Sequence, residues 1–200
     1  SKTHQVCHST NETKTANALL NGPGYDRNNP PSHIAFRIKN EKKALTNFLV
    51  AHRFEHTKCT TKDCGIYFNT DYPFLGASPD AILTCPSCPQ PEILLEVKCL
   101  SSKKQFQPGA ALVMLKICIR DDNGKLVINT SHQYFSQVQT QMLITGMNMT
   151  FLIAFTYKVI KVVKITYDED FCNNMVDKVT SFYKDAFYPI LRAVGHAPHI

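Results

Sequence analysis

The run Ile93-Leu94-Leu95-Glu96-Val97-Lys98-Cys99-Leu100 constrains the fold more than any other part of this sequence. It has the length and apolar character of a largely buried strand. Alternation along such a strand puts Leu94, Glu96 and Lys98 on one face and Ile93, Leu95 and Val97 on the other. A carboxylate and an ammonium therefore emerge side by side from the interior of a sheet. The segment from Ser78 to Thr84 reads as the preceding strand, and Cys85-Pro86-Ser87-Cys88-Pro89 as the turn between them. A turn of that length lets Asp80 come alongside Glu96.

The remaining segments surround this pair with both helices and strands. Ser1 to His33 is polar and punctuated by Asn21-Gly22-Pro23-Gly24 and Asn28-Asn29-Pro30-Pro31. Ala35, Ile38, Leu45 and Leu49 recur at helical spacing between Ile34 and Arg53. Ile66-Tyr67-Phe68 is strand-like, and Ser101 to Gly109 a polar loop or short helix. Leu112 to Arg120 and Lys125 to Thr130 read as strands flanking Asp121-Asp122-Asn123-Gly124, a hairpin signal. His132 to Thr145 reads as a helix, Phe151 to Tyr157 and Val159 to Tyr167 as strands, and Asp168 to Val194 as a long helix broken at Pro189. The expected fold is mixed α/β, a small central sheet flanked by helices. With 200 residues, 44% of them hydrophobic and 19% charged, the chain suits one domain over 1–200. Residues 1–33 form its loop-rich start and 168–200 its closing helix.

Composition narrows the partners. Twenty-two basic against sixteen acidic residues give a net charge of +6, which suits an anionic partner. No apolar run reaches the roughly 18 residues of a membrane span. Eight cysteines, several inside apolar runs, read as free thiols. They point to a reducing compartment, and hence to an intracellular protein of nucleus or cytoplasm.

Asp80, Glu96 and a strand carbonyl make a hard oxygen cage, which suits Mg²⁺ or Mn²⁺ better than zinc. Such a site can acidify a bound water and polarise a phosphoryl oxygen, with Lys98 steadying the developing charge. The plain alternative is a Glu96–Lys98 salt bridge with Asp80 serving a turn. On the helix from His132, Tyr134, Gln137 and Gln141 share a face roughly opposite the Phe135/Val138/Met142 stripe. They could reach a phosphodiester or the water, although a solvated face would look the same.

Taken together, Gly76-Ala77-Ser78-Pro79-Asp80, Glu96-Val97-Lys98 and Tyr134-Phe135-Ser136-Gln137-Val138-Gln139 closely resemble the hallmarks of one family. It is the lambda-exonuclease-like, YqaJ viral recombinase branch of the PD-(D/E)XK nuclease superfamily. The resemblance runs from about Ile34 to Thr150 and lies in the combination of motifs. It implies a restriction-endonuclease-like core and cleavage of DNA by metal-activated water, commonly 5′ to 3′ from a duplex end. Asp80, Glu96 and the Val97 carbonyl would hold the principal metal, with Glu41 near or on a second. Lys98 and Gln137 would complete the surroundings of the attacking water. Relatives also grip the terminal phosphate with an Arg upstream of a segment that here begins near Ser1, so that Arg is expected before the first residue. DNA contacts are expected from Ser1, Lys2, Arg37, Lys42, Lys43, Ser78, Lys103, Lys104, Tyr134 and Gln141, since phosphate contacts dominate nucleic-acid affinity.

Cys59-x4-Cys64 and Cys85-x2-Cys88 raise a structural zinc reading. The first pair is loosely spaced and no good His pair completes it, so Zn²⁺ is not expected. The other readings to be separated are an endonuclease, a single-strand or RNA nuclease of the same fold, and a DNA-binding module that does not cut. Oligomeric state, monomer or ring, is open.

Overall fold

The fold was obtained as a computed structural model that describes residues 29–193. In chain order, helix α1 (Ser32–His52) leads to strands β1 (Thr60–Asp63), β2 (Tyr67–Phe68), β3 (Gly76–Ala77), β4 (Ala81–Thr84) and β5 (Glu92–Cys99). Then follow α2 (Pro108–Met114), β6 (Cys118–Arg120), β7 (Leu126–Ile128), α3 (Gln133–Thr145), β8 (Met149–Phe155), β9 (Ile160–Thr166), α4 (Glu169–Phe182) and α5 (Tyr188–Ala193). Five of the strands form one mixed sheet in the order β1-β4-β5-β8-β9, and β2/β3 and β6/β7 are separate two-stranded ribbons. β5 runs antiparallel to β4 and parallel to β8. The mixed α/β expectation therefore holds. Among the described residues no helix is long and apolar enough to cross a membrane.

β5 owes its continuous apolar sequence to its place at the centre of this sheet, with both faces covered. On one face Leu83, Ile93, Leu95, Val97, Ile153 and Phe155 pack with Ala44 and Phe48 of α1. On the other, Ile82, Leu94 and Leu152 pack with Leu112 of α2 and with Phe135, Val138 and Met142 of α3. A third cluster seats α4 through Cys172, Met175 and Val179 against Leu75, Ala77 and Ile144.

Several local expectations are corrected. The stretch Leu112 to Arg120 is not one strand: Leu112 belongs to α2, and pairing begins only at Cys118. Pro108 opens α2 at a position where its fixed φ and missing N–H favour a helix start. On α1 the buried stripe is Asn40, Ala44 and Phe48, whereas Ile38 is 67% exposed. Asn40 tolerates burial because its side-chain amide donates to the Phe36 carbonyl at 2.7 Å. Helix α1 also starts at Ser32, inside the segment expected to be loop. The C-terminal helix does not break at Pro189; it widens into a π turn at Tyr183–Phe187 and continues. Pro189 has no N–H for the Asp185 carbonyl and its ring crowds that group, so the upstream turn opens. The hairpin between β6 and β7 forms as read, with Gly124 at φ 74° and the Asp121 carboxylate accepting N–H groups of Asn123 and Lys125.

Helix α3 ends at Gly146, whose φ of 72° lies in the left-handed region and whose missing Cβ would meet no atom within 4 Å. The cost of Gly146→Ala is therefore backbone strain alone, about 1–2 kcal/mol. Urea unfolding should show a lower midpoint at unchanged slope. An unchanged midpoint would contradict this capping geometry.

Candidate active site

The site is assembled by the end of the β4–β5 hairpin. Pro79 has no N–H to extend the ladder, so β4 begins only after Asp80. The Asp80 backbone N–H donates to the Leu95 carbonyl at 3.1 Å, and its Oδ2 accepts the Val97 N–H at 2.7 Å. Main-chain bonds thus hold this carboxylate against β5, beside Glu96.

Glu96 is 1% exposed, and both its carboxylate oxygens accept hydrogen bonds. Its Oε1 accepts Lys98 Nζ at 2.6 Å and Gln137 Nε2 at 2.7 Å, and its Oε2 accepts Gln141 Nε2 at 2.8 Å. Lys98 Nζ donates also to Gln137 Oε1 at 2.9 Å and lies 4.1 Å from the centre of the Tyr134 ring. A buried ion pair survives only with such additional bonds, because desolvation offsets much of its attraction. From α1, Arg37 Nε donates to Glu41 Oε2 at 2.8 Å and its Nη2 to Asp80 Oδ1 at 3.4 Å. Arg37 is more than half exposed, so these pairs contribute position more than stability.

Three carboxylates, on Glu41, Asp80 and Glu96, thus face two cations, Arg37 and Lys98. The imbalance falls on Asp80. Burial and the neighbouring Glu96 charge push its pKa up from 3.8 to about 7, against the Val97 N–H and Arg37, which pull it down. Asp80 and Glu96 offer hard oxygen donors, and Glu96 uses three of the roughly four lone-pair positions of a carboxylate. The donor set and its unbalanced charge fit a divalent cation of the Mg²⁺ or Mn²⁺ class. Val97 and Lys98 open, with His33, Arg37, Tyr134 and Gln137, onto a cleft of about 370 Å³.

The structure brings together Arg37, Glu41, Asp80, Glu96, Val97, Lys98, Tyr134 and Gln137. Gln141 is placed differently from the expectation of a DNA contact: it is 3% exposed and braces Glu96 from behind. Its face, with Tyr134 and Gln137, lies next to the Phe135/Val138/Met142 stripe and not opposite it, since a one-residue offset turns a helix by about 100°. Ser78 is exposed, and its carbonyl oxygen lies 3.4 Å from Gln141 Nε2. Lys42 and Lys43 stand exposed beyond Glu41. Lys104 lies 5.8 Å from the Phe36 ring and 5.7 Å from that of Tyr157, while Lys103 lies 5.5 Å from Phe106. Ser1 and Lys2 fall outside the described residues. Of the four cysteines considered for zinc, Cys59 and Cys85 meet at 3.2 Å, but Cys64 packs with Tyr67 on the other side of the sheet. His33, at the start of α1, is a cleft residue that no sequence signal marks.

The family model of the YqaJ-like viral recombinase domain matches residues 1–148. No curated protein matches at the sequence level. Among solved structures, an alkaline exonuclease from Laribacter hongkongensis aligns with 97% of this chain and 89% of its own, at 14% identity and a TM-score of 0.65. The same exonuclease in complex with dAMP aligns at 15% identity over 97% and 91% of the two chains, again with a TM-score of 0.65. A phage-related exonuclease from Haemophilus somnus 129PT aligns over 97% and 94%, at 13% identity and a TM-score of 0.61. At these identities the likeness is one of fold.

A raised carboxylate pKa has a defined consequence for stability. Such a group stabilises the fold only while protonated: its contribution is complete below about pH 4 and lost as pH rises through about 7. Asp80→Asn should therefore match the metal-free wild type near pH 4 and exceed it at pH 8, by on the order of 2–4 kcal/mol. Thermal unfolding in EDTA across this range checks it. A less stable Asp80→Asn at pH 8 would show that the carboxylate is not charge-strained.

Proposed function

The chain belongs to the YqaJ-like viral recombinase domain family, and on that premise we propose that it is a divalent-metal-dependent deoxyribonuclease. It acts as a single domain, an exonuclease that degrades linear duplex DNA in the 5′-to-3′ direction. The observation that carries this reading is the buried Asp80/Glu96 pair, short of positive charge and adjoining Val97 and Lys98, which line a cleft. A purely structural salt bridge would have no use for the second, strained carboxylate.

Asp80, Glu96 and the Val97 carbonyl would hold the principal ion, with Glu41 beside a second. When bound, the ion would supply Lewis-acid polarisation of the scissile phosphate and a more acidic water. The chain's own groups do the rest. With its pKa pushed up to about 7, Asp80 carries a proton in part of the population at neutral pH, which a bound cation would displace. Lys98, held between Glu96 and Gln137 and over Tyr134, presents a fixed positive charge where negative charge develops on the phosphate. Gln137 offers a rigid amide to orient the attacking oxygen, and Gln141 fixes Glu96 from below. Exposed Lys42, Lys43 and Lys104 and half-buried Lys103, with Ser78, Ser1 and Lys2, serve the DNA backbone, and the net charge of +6 favours that encounter. The dAMP complex of the Laribacter exonuclease makes deoxynucleoside monophosphates the product class to look for.

The test is end-labelled linear duplex beside covalently closed circles, with Mg²⁺ and with EDTA. Linear DNA should be degraded to mononucleotides from its 5′-phosphorylated ends while circles survive. Asp80→Ala, Glu96→Ala and Lys98→Ala should each lower the rate at least about 100-fold. Gln141→Leu should cost about 10- to 100-fold, because it acts through Glu96. Nicking of closed circles that Glu96→Ala abolishes would make the enzyme an endonuclease. DNA binding without cleavage by the wild type would make it a recognition module, and undiminished cleavage by Glu96→Ala would remove the site altogether.

A further inference from the structure

A second cluster of donor atoms lies at the opposite end of the β4–β5 hairpin. His52 closes α1, His56 lies in the turn after it, and Cys85 and Cys88 lie in the turn that follows β4. One ligand atom from each of the four falls within 4.8 Å of the others. The Cys88 sulfur is 3.6 Å from His52 Nε2 and 3.7 Å from His56 Nδ1. Tetrahedral zinc, with Zn–S about 2.3 Å and Zn–N about 2.0–2.1 Å, sets sulfur and nitrogen ligands about 3.6 Å apart. The two imidazoles are stacked at 4.1 Å with planes 6° apart, so one ring must turn for both in-plane lone pairs to meet a single ion. His52-x3-His56 and Cys85-x2-Cys88 are also the spacings of structural zinc sites.

We propose that His52, His56, Cys85 and Cys88 form a structural zinc site that pins the C-terminal end of α1 to the β4–β5 turn. The surroundings favour the ligating state at Cys85, while burial and the Cys85 sulfur push the Cys88 thiol up to about 12, a proton that a metal must displace. The Cys85 sulfur faces backbone N–H groups of Ser87 and Cys88 and accepts from the Cys59 thiol at 3.2 Å. Burial, then the neighbouring His56, lowers the His52 pKa. Cys59 acts as a donor to a ligand, not as a ligand: it is buried, its pKa is raised, and it lies outside the four-atom group. Such outer partners orient metal ligands.

The site is separate from the carboxylates, since the eleven-residue rise along α1 from Glu41 to His52 spans about 16 Å. Its position gives it a mechanical role. Arg37 joins α1 to Asp80 at one end of the hairpin, and the zinc joins the same two elements at the other. The helix that carries Arg37 and Glu41 is thereby fixed in register with the strands that carry Asp80 and Glu96.

The experiment is metal analysis of the purified full chain, followed by cobalt replacement. We expect one zinc per chain, released by a mercurial thiol reagent, and a cobalt form with tetrahedral d–d bands and thiolate charge-transfer absorption. Zinc content should fall in Cys88→Ser and in His56→Ala but persist in Cys64→Ser, Cys59→Ser and Glu96→Gln. Chelation should lower the melting temperature of the wild type and leave that of Cys88→Ser unchanged. Absence of zinc together with an octahedral, thiolate-free cobalt spectrum in the wild type would overturn the proposal, and needs no variant to fold. So would zinc that survives His56→Ala but is lost in Cys59→Ser, which would indicate another ligand set. Failure here leaves the carboxylate reading intact, because Glu96→Gln distinguishes the two.

Discussion

The charge imbalance around Val97 governs the rest of this structure. Three carboxylates and two cations converge where β5 leaves the core, and the deficit is concentrated on a carboxyl pinned to the backbone. A chain selected for stability alone would have little reason to retain it, since neutral Asn at position 80 could still accept the Val97 N–H. The strain makes sense as preparation for a cation. Lys98 cannot relieve it, because Glu96, Gln137 and the Tyr134 ring already surround that ammonium.

Everything that positions these groups is ordinary secondary structure. β5 supplies Glu96 and Lys98 by alternation, the hairpin returns Asp80 to their side, and α3 delivers Gln137 and Gln141 one turn apart. Helix α1 approaches from the other face of the sheet, so Arg37 and Glu41 reach the site over the strand ends. This arrangement demands a fixed angle between α1 and the hairpin. The proposed zinc clamp supplies a second anchor for that angle.

Much of this was legible in the sequence, for physical reasons that can be named. β5 is readable because a strand buried on both faces has few other ways to be written. The Asp80–Glu96 proximity followed from the length of the turn between them. Residues whose fate depends on tertiary packing were harder. Ile38 fits a helical period yet lies exposed, while Asn40 is buried because a local hydrogen bond satisfies it. The apolar Leu112-Val113-Met114 suits a strand as well as a helix; Pro108 at the helix start and the packing of Leu112 in the cluster with Phe135 and Met142 favour the helix. Gln141 looks like a surface amide until Glu96 is placed beneath it. The two histidines of the second cluster stood four residues apart in plain view. Their partners are 29 to 36 residues away, and pairing Cys85-x2-Cys88 with the nearer Cys59-x4-Cys64 hid them.

The central claim is that the strained carboxylate pair is a cation site, and Mn²⁺ titration calorimetry tests it most directly. Titrations in two buffers of different ionisation enthalpy report protons released as well as ions bound. Binding should release a fraction of a proton near pH 7, growing as pH falls, because Asp80 is then protonated in the free protein. Asp80→Asn should lose both the affinity and the proton release, and Glu96→Gln the affinity. Tight Mn²⁺ binding that neither substitution alters would contradict the account.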